Sequence, residues 1–473
     1  MKSLDYKDLI SIKQVDCEII ELTPVKFNTK EFRYQNIVNK IFFFLFREGI
    51  SRMLRKIKSK KFTDKTQDNF VYVIVKSTID NCYYNGLQYS ENQPIFYFNC
   101  HEKSEFHPVK KREQEMKYNP FLGFSEVTHQ IDNDNFSPIT LNKIAIKTDK
   151  PNLLCIGCGG YVLTEVLPVF KEFNKKAAID FNYNILTSKY YSQFELRSND
   201  FAQIKTLNLS NKLNLGIIAS YHSYHTAQAI EFLSTVPNSK VIIEKPPCIT
   251  KSDLKTLAEA FDPLKIFIGY HRRYAKWNQK IKTVLTTVNE SCTINMIIHE
   301  VQITNEHWYQ APNQGTRIAG NLSHWIDLSI YWLESTPSRI SIAKNEIEGI
   351  DNSIFTIHFS DGSLVNLIPT DKGNGTHGVQ EYITIKSKKL DVTINDYLEM
   401  KVWREGKSKK YLSLKRKKGH EKMNQVFKSQ ILSNSSSDYT KKDLIFSTFI
   451  YMSFVDLYKS KKSSCKLDFS EFI

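Results

Sequence analysis

Short apolar runs alternate with helix-like stretches between residues 152 and 270 of this 473-residue chain. Continuous apolar runs of this length are typical of strands that are buried on both faces of a sheet. Residues 226–236 and 250–261 carry apolar side chains at helical spacing, and Thr250 and Asp253 form a predicted capping box. This alternation predicts a parallel α/β sheet covered by helices on both faces. The predicted strands are residues 152–156, 177–186, 215–220, 240–244 and 265–270.

The pattern changes after residue 273, where alternating apolar and polar positions replace the continuous runs. Alternation with a period of two predicts strands that have one buried and one exposed face. Asp361-Gly362 lies between two of these strands and is a typical hairpin turn. The predicted strands are residues 293–303, 353–359, 363–368, 381–385 and 389–394.

The first 150 residues are long enough for a further small domain, with predicted strands at residues 72–75 and 95–98. Residues 41–46 form an apolar run, but a membrane-spanning helix needs roughly 20 residues. Burial in a helix or at an interface is therefore favoured, and membrane association is not expected. The basic residues 52–61 are interpreted as a solvated helix face, with an amphipathic segment on an anionic membrane as the alternative. A reduced remnant of a larger domain, a partner-docking domain and a lid are the open interpretations of this region.

Composition narrows the class of protein. A hydrophobic content of 41% suits a globular protein of two or three domains. The chain starts without the apolar core of a secretory signal, and its eight cysteines form no disulfide framework, so a cytoplasmic location is predicted. Cys155 and Cys158 form a C-x-x-C pair, but a zinc site would need a second matching pair, so no metal site is predicted.

The net charge of +15 raises the question of an anionic partner. Much of this charge lies in residues 401–418, which carry no recognisable nucleic-acid-binding motif. A nucleotide-sugar substrate would also favour basic surroundings, because its diphosphate is anionic. The favoured interpretation is a solvated basic hairpin, and no nucleic-acid partner is predicted.

The predicted strand at residues 240–244 ends in Glu244, Lys245 and two prolines. Pro246 and Pro247 lack backbone donors and therefore end the ladder of strand hydrogen bonds. Lys245 is thus predicted at the carboxyl end of a buried strand, where open α/β sheets bind their ligands. Partial desolvation at such a place can lower the pKa of a lysine enough for acid–base catalysis.

A glycine-rich turn follows the predicted strand at residues 152–156 and precedes a predicted helix. Strand, glycine turn and helix together form the context of a dinucleotide-binding fingerprint. Gly157 permits the tight turn, and Gly159 lets the backbone approach a pyrophosphate at the start of the helix. Val162 stands where the fingerprint prefers a third small residue.

The glycine turn, Glu244-Lys245-Pro246 and His324-x-x-Asp327 together resemble the Gfo/Idh/MocA oxidoreductases, most closely the members found in bacterial surface-polysaccharide gene clusters. The resemblance runs from residue 152 to the end of the chain, and the order and spacing of several segments carry it. These segments are residues 220–225, 306–308, 315–320, 321–328 and 418–421. The resemblance implies a Rossmann domain at residues 151–272 and an α+β domain with an open, mainly antiparallel sheet at residues 273–473, preceded by an accessory region at residues 1–150.

The resemblance also implies an NAD(P)-dependent enzyme that moves a hydride to or from a carbon of a sugar or nucleotide sugar. Such a reaction moves a proton on the attached oxygen as well, so the site needs an acid/base close to that oxygen. Lys245 and His324 are the predicted acid/base residues. Asp327 lies one helical turn beyond His324 and either orients it or makes a helix contact.

The resemblance implies binding residues and a homo-oligomer in addition. The predicted cofactor-binding residues are Gly157, Gly159, Gly160, Tyr161, Ser220, His222, His225, Glu244, Lys245 and Arg273. The predicted substrate-binding residues are His307, Trp308, Arg317 and Asn321.

One segment departs from the family pattern. Family members carry an aspartate four residues before this histidine or a glutamate three residues before it, where this chain has Gly320 and Asn321. Either His307 compensates, or the pocket relies on Lys245 and His324 alone. The predicted second strand ends near residues 186–189 without an acid for the NAD ribose, so NAD and NADP are both candidates. The alternative to an enzyme is a catalytically inactive protein that keeps this fold as a sensor or scaffold.

Overall fold

The computed structural model describes residues 17–26, 46, 50, 53–55, 57, 69–77, 83–89, 95–101, 140–142, 149–180, 183–209, 212–301, 315–345, 352–372 and 378–472. Three sheets form the framework of these residues, and each sheet takes its strands from a separate part of the chain. The second and third sheets carry the candidate site.

The first sheet is antiparallel, and its strands lie in sequence order. Its strands are β1 (Cys17–Lys26), β2 (Asn69–Ser77), β3 (Tyr83–Tyr89) and β4 (Ile95–His101). The predicted strands at residues 72–75 and 95–98 are confirmed within β2 and β4. Residues 41–45 of the apolar run lie outside the described residues. Phe46 is 68% exposed, so the burial expected for this run is not found at its last residue.

The second sheet is the predicted parallel sheet. Its strands are β5 (Thr140–Asn142), β6 (Asn152–Ile156), β7 (Asn174–Ile179), β8 (Leu196–Ser198), β9 (Asn214–Ile218), β10 (Ser239–Ile243) and β11 (Ile266–Ile268). They lie in the order β11-β10-β9-β6-β7-β8-β5, and neighbours run parallel except at the edge pair of β5 and β8. The strand order reverses between β6 and β9, which is where sheets of this kind bind their ligands.

Two boundaries of this sheet differ from the prediction. The apolar pattern predicts a strand up to residue 186, but β7 ends at Ile179 and the chain then forms helix α1 (Tyr183–Thr187). Ile185 and Leu186 are buried from this helix, which explains why the apolar run continues beyond the strand. Strand β5 joins the edge of the sheet ahead of the domain boundary predicted at residue 151.

The helices that follow β9 and β10 are confirmed. They are α2 (His225–Thr235) and α3 (Lys251–Glu259). The hydroxyl of Thr250 accepts the N–H of Asp253 at 3.0 Å, as the capping box predicts. Leu254 and Leu257 are fully buried, so α3 covers the sheet with its apolar face.

The third sheet is mainly antiparallel, with β12 and β15 pairing in parallel. Its strands are β12 (Thr293–His299), β13 (Pro337–Ala343), β14 (Ile354–Phe359), β15 (Leu364–Thr370), β16 (Gln380–Lys386), β17 (Leu390–Asn395), β18 (Glu399–Arg404), β19 (Lys407–Leu412) and β20 (Ser464–Lys466). Their order is β19-β18-β17-β16-β12-β15-β14-β13-β20. The five predicted strands correspond to β12, β14, β15, β16 and β17. Gly362 in the predicted hairpin has a φ of +86°.

Four further helices belong to this part of the chain. They are α4 (Asn278–Val288), α5 (Ser323–Leu333), α6 (His420–Leu432) and α7 (Lys441–Lys459). Helix α7 contacts β13 of the third sheet as well as α5 and α3, and α6 contacts the helical turn that follows the glycine turn. Within the described residues, no helix is both long and apolar enough to cross a membrane.

The basic residues 401–418 divide into two parts. Strands β18 and β19 form a hairpin whose lysines, Lys409 among them, are exposed, as the sequence predicts. Arg416 and Lys418 are only 3% and 7% exposed, which corrects the expectation of a fully solvated segment. Arg416 lies 3.1 Å from Asp396 and Lys418 lies 3.0 Å from Glu381, because buried cations need carboxylate partners.

Candidate active site

The glycine turn lies directly after β6, where the strand order reverses. Gly157 has a φ of +83°, and a Cβ there would lie 2.3 Å from the backbone of Ala219 and Ser220. A Cβ on Gly159 would meet no atom within 4 Å. The turn itself therefore requires Gly157, whereas Gly159 faces the open space that a pyrophosphate needs to approach the backbone. Gly160 begins the helical turn that continues as the π-helix Val162–Val166.

Asp180 is an acid next to the glycine turn that the sequence analysis did not assign to the site. It follows the last residue of β7, and its Oδ2 accepts the N–H of Cys158 in the glycine turn at 2.6 Å. Dinucleotide-binding sheets that use NAD carry the ribose-binding acid at the end of this second strand. The acid was visible in the sequence, but the apolar run through Leu186 places the predicted strand end too late.

The loop after β9 contains three of the predicted cofactor-binding residues. Ser220 Oγ donates to the side chain of Gln228 at 2.5 Å. The two ring nitrogens of buried His225 lie 2.8 Å from the carbonyl oxygen of Pro246 and 3.1 Å from that of Ser220. Burial lowers the pKa of His225 to about 4. His225 therefore links the loops after β9 and β10, and His222 is buried beside it. The predicted cofactor-binding roles of both histidines stay predictions.

Glu244 and Lys245 follow the end of β10, as predicted, and both are half-buried. The side chain of Glu244 accepts the backbone N–H of Lys245 at 3.1 Å. Burial raises the pKa of Glu244 to about 7, although the charge of Lys245 opposes this shift. Burial, followed by the charge of Glu244, also raises the pKa of Tyr161. The glycine turn and the end of β10 are thus close neighbours.

Lys245 and His324 meet where the second and third sheets approach each other. Lys245 Nζ donates a hydrogen bond to the carbonyl oxygen of Gly320 at 2.5 Å. His324 on α5 is 4% exposed, and its Nδ1 has no hydrogen-bond partner among the described residues. Burial lowers the pKa of His324 well below its usual range, and the charges of Lys245, Arg272 and His420 lower it further. The neutral imidazole is therefore the form present near pH 7.

Two further histidines continue from His324 in a row of ring contacts, and the sequence analysis assigned neither to the site. The ring centroid of His271 lies 4.2 Å from that of His324, and His420 stacks on His271 at 3.5 Å. Gly419 has a φ of +101°, and a Cβ there would lie 2.0 Å from the carbonyl oxygen of His271. Helix α6 can therefore begin beside His271 only because residue 419 is glycine.

Asp327 is bound to Arg273 rather than to His324. Arg273 Nε and Nη2 donate to the two carboxylate oxygens of Asp327 at 2.8 and 2.7 Å, and Ser447 donates to Asp327 at 3.0 Å. The third nitrogen of the guanidinium lies 3.2 Å from Asp443. All of these side chains except Asp443 are fully or almost fully buried. The predicted roles of Arg273 in binding the cofactor and of Asp327 in catalysis stay predictions beside this ion pair.

Glu300 supplies a buried carboxylate that the sequence analysis missed. It follows β12 directly and is 3% exposed. It accepts hydrogen bonds from Arg317 at 3.2 Å and from the side-chain amide of Asn321. Glu300 thus brings together two of the four predicted substrate-binding residues, across a sequence separation that no local pattern reveals. The other two, His307 and Trp308, lie outside the described residues.

Arg272 connects the histidines to a second buried carboxylate. Arg272 lies 2.9 Å from Glu381, which also pairs with Lys418 at 3.0 Å and accepts the indole N–H of Trp325 at 3.0 Å. Burial alone would raise the pKa of Glu381, but the charges of Arg272 and Lys418 lower it below its usual value. The ionised carboxylate holds Arg272 beside His271 and keeps this side of the site cationic.

No protein-family model and no curated protein match this chain. Solved structures do match it. It is similar to a myo-inositol 2-dehydrogenase from Lactobacillus plantarum, with 14% identity and a TM-score of 0.55 over 67% of this chain and 100% of that chain. The chain therefore shares its fold, a parallel sheet followed by a mainly antiparallel sheet, with these solved structures.

Two similar structures are complexes with a nicotinamide cofactor. A levoglucosan dehydrogenase in complex with NADH and levoglucosan has 13% identity and a TM-score of 0.55 over 67% of this chain and 99% of that chain. GenD2 from gentamicin A biosynthesis, in complex with NAD, has 13% identity and a TM-score of 0.54 over 69% of this chain and 99% of that chain. At such identities the likeness establishes the fold, and the roles of individual residues rest on their geometry.

Proposed function

We propose that this protein is an NAD-dependent oxidoreductase that acts on a hydroxyl or ketone of a sugar or nucleotide sugar. The observation that carries the proposal is the convergence of Lys245, which follows β10 of the parallel sheet, with His324 on α5. The resemblance of the sequence favours surface-polysaccharide synthesis as the setting. Free cysteines such as buried Cys155 and Cys158 suit the reducing cytoplasm. A homo-oligomer stays a prediction from the same resemblance.

The residues present fit a nicotinamide dinucleotide. The turn from Gly157 to Gly159 offers its backbone to a pyrophosphate, and the open space at Gly159 leaves room for that approach. Asp180 would accept a hydrogen bond from the ribose 2′-hydroxyl, and its charge would repel a 2′-phosphate. The proposal therefore favours NAD over NADP.

When bound, the cofactor supplies the exchange of a hydride with the substrate carbon. The protein's part is then to handle the proton of the attached oxygen and to stabilise charge on that oxygen. The neutral His324, whose Nδ1 has no hydrogen-bond partner in the part of the chain that the structure describes, is suited to accept this proton during oxidation. The ammonium of Lys245 stabilises negative charge on the same oxygen and can return a proton during reduction. Arg317 and Asn321, together with His307 and Trp308, would bind other substrate hydroxyls.

A titration of the purified protein with NAD⁺, NADH, NADP⁺ and NADPH tests the proposal. We expect NAD(H) to bind more tightly than NADP(H). Asp180→Asn should weaken NAD(H) binding by about 10- to 100-fold, because a hydrogen bond to a charged group contributes about 1.5–3 kcal/mol. The matched control is Asp200→Asn, since Asp200 caps a 3₁₀ helix through Ala202 and should leave binding unchanged. Failure of all four forms to bind would favour the sensor or scaffold alternative instead.

A further inference from the structure

The buried carboxylate of Glu300 anchors residues 317–321, and the carbonyl oxygen of Gly320 in this segment binds Lys245. The two oxygens of this carboxylate accept hydrogen bonds from Arg317 and Asn321, which lie at either end of one short stretch of chain. Arg317 also donates to the carbonyl oxygen of Val301 at 2.9 Å, so the end of β12 fixes the guanidinium twice. The catalytic machinery proposed above makes no use of Glu300.

The stretch that Glu300 anchors has an unusual backbone. Thr316 is 1% exposed and has a φ of +67°, which is a strained conformation for a β-branched residue. The chain then forms the π-helix Ile318–Leu322 before α5 begins. Both features are found preferentially at functional sites, and both persist only where surrounding contacts hold them in place. The hydrogen bonds from Arg317 and Asn321 to Glu300 are contacts that hold this backbone in place.

A single peptide unit connects Glu300 to Lys245. The carbonyl of Gly320, which accepts the hydrogen bond from Lys245 Nζ, belongs to the same peptide group as the backbone nitrogen of Asn321. The side chain of Asn321 is tied to Glu300. A displacement of Asn321 would therefore rotate the Gly320 carbonyl and move the acceptor away from the ammonium.

We propose that Glu300 is a positioning residue for Lys245 and that it acts through the Gly320–Asn321 peptide. The inference deepens the proposed function and rests on it as far as catalysis is concerned. It also accounts for the departure from the family pattern at Gly320 and Asn321, since the carboxylate missing from this turn reaches it from the end of β12. Glu300 is not itself a proton donor or acceptor in this account.

The first test measures the environment of Lys245 and needs no enzymatic activity. Brief labelling with acetic anhydride, followed by mass spectrometry, reports how readily each lysine reacts. In Glu300→Gln the hydrogen bond to Gly320 should weaken, so labelling of Lys245 should rise about fivefold, as expected for the loss of about 1 kcal/mol. Exposed Lys265 is the internal reference, and Asp391→Asn on β17 is the matched control. Unchanged labelling of Lys245 would overturn the proposal, whether or not the protein proves to be an enzyme.

The second test separates positioning from general damage to the fold. Glu300→Gln should lower kcat by about 10- to 100-fold, the scale of a misplacement of about 1 Å, with NAD(H) affinity unchanged. Because the effect passes through Lys245, the double variant Lys245→Ala/Glu300→Gln should be no slower than Lys245→Ala alone. If the loss of kcat in the double variant equals the product of the two single losses, Glu300 has a role separate from Lys245 and the proposal is rejected.

Two further variants show whether an effect of Glu300→Gln comes from the proposed contact or from misfolding. Asn321→Ala breaks the same link from the other side and should raise Lys245 labelling as Glu300→Gln does. Moving the carboxylate with Glu300→Gln/Asn321→Glu should restore part of the lost kcat and return the labelling of Lys245 towards the unsubstituted level. If both Glu300→Gln and Asn321→Ala fold normally and differ in their effect on Lys245, the proposed route through Asn321 is wrong.

Discussion

Lys245 Nζ donates a hydrogen bond to the carbonyl oxygen of Gly320 at 2.5 Å, and this contact joins the two sheets at the candidate site. Lys245 follows β10 of the parallel sheet, and Gly320 precedes α5, which packs on the antiparallel sheet. The bond places the ammonium beside His324, whose pKa is lowered by burial and then by the charge of Lys245. This contact therefore fixes the position of a cation whose charge, after burial, is the next cause of the lowered pKa of His324.

Loss of Lys245 should impair turnover much more than cofactor binding. Lys245→Ala is expected to lower kcat by about 10²- to 10⁴-fold, the range for a residue that transfers or stabilises a proton. Steady-state kinetics with the productive substrate, together with a thermal melt, measure the effect. Lys265→Ala is the control, because Lys265 is exposed and lies before β11. An unchanged kcat would remove Lys245 from the mechanism.

Two glycines of the same turn should respond in opposite ways to substitution by alanine. Gly157→Ala places a Cβ 2.3 Å from the backbone of Ala219 and Ser220, at a positive φ, so it should destabilise the fold by about 2–4 kcal/mol. Gly159→Ala meets no atom within 4 Å and should leave stability within about 0.5 kcal/mol.

Cofactor binding distinguishes the pair further. Gly159→Ala should weaken NAD binding at least about tenfold, because the new methyl group fills the space that a pyrophosphate needs. Urea denaturation and an NAD titration on the same samples measure the two quantities. Normal affinity of Gly159→Ala for NAD would contradict the placement of the pyrophosphate at this turn.

The sequence predicted the parts of the site that depend on local pattern. The glycine turn and the end of β10 combine an apolar strand with residues that stop it, and the structure places both where expected. Asp180 was missed because the apolar residues of β7 continue into those of α1, so the sequence pattern does not show where the strand ends. Glu300 could not be recognised, since its partners lie 17 and 21 positions away and only tertiary packing brings them together.

The pairing of buried charged residues is a second feature that the sequence pattern does not reveal. Arg273 and Asp327 were assigned to the site through the family resemblance, and in the structure they pair with each other in the core. Arg416 and Lys418 belong to a basic run whose neighbours are solvated, yet both are buried against carboxylates. Sequence pattern indicates which residues carry charge, but the pairing of buried charges is decided by the packing of distant elements.

Asp327 should therefore contribute to stability rather than to chemistry. Asp327→Asn removes one carboxylate from buried Arg273 and should lower the free energy of unfolding by about 3 kcal/mol, because a buried charge loses its closest partner. Urea denaturation measures the loss, and Asp438→Asn at an exposed position is the control. If the Asp327→Asn protein is stable but has an altered pH–rate profile, the result would instead favour a role of Asp327 in orienting His324.

The lowered pKa of His324 predicts how activity depends on pH. An imidazolium cannot accept a proton, so the oxidation rate should fall as acidification protonates His324. Because burial, Lys245, Arg272 and His420 all disfavour the charged ring, this fall should lie below pH 6.5, the usual midpoint for a histidine. The measurement is the acid limb of kcat/KM, compared with the titration of the His324 ring C–H resonance in the free protein.

Lys245→Met tests whether the charge of Lys245 lowers the pKa of His324. The substitution removes one positive charge beside His324 and nearly preserves volume, so the pKa of His324 should rise and its resonance should titrate at higher pH. Burial is the larger cause of the lowered pKa, so the midpoint should still lie below that of an exposed histidine. His324→Asn assigns the resonance among the twelve histidines. A midpoint that stays in place, or moves to lower pH, would show that the charge of Lys245 is screened from His324 and that the two residues do not act on the same oxygen.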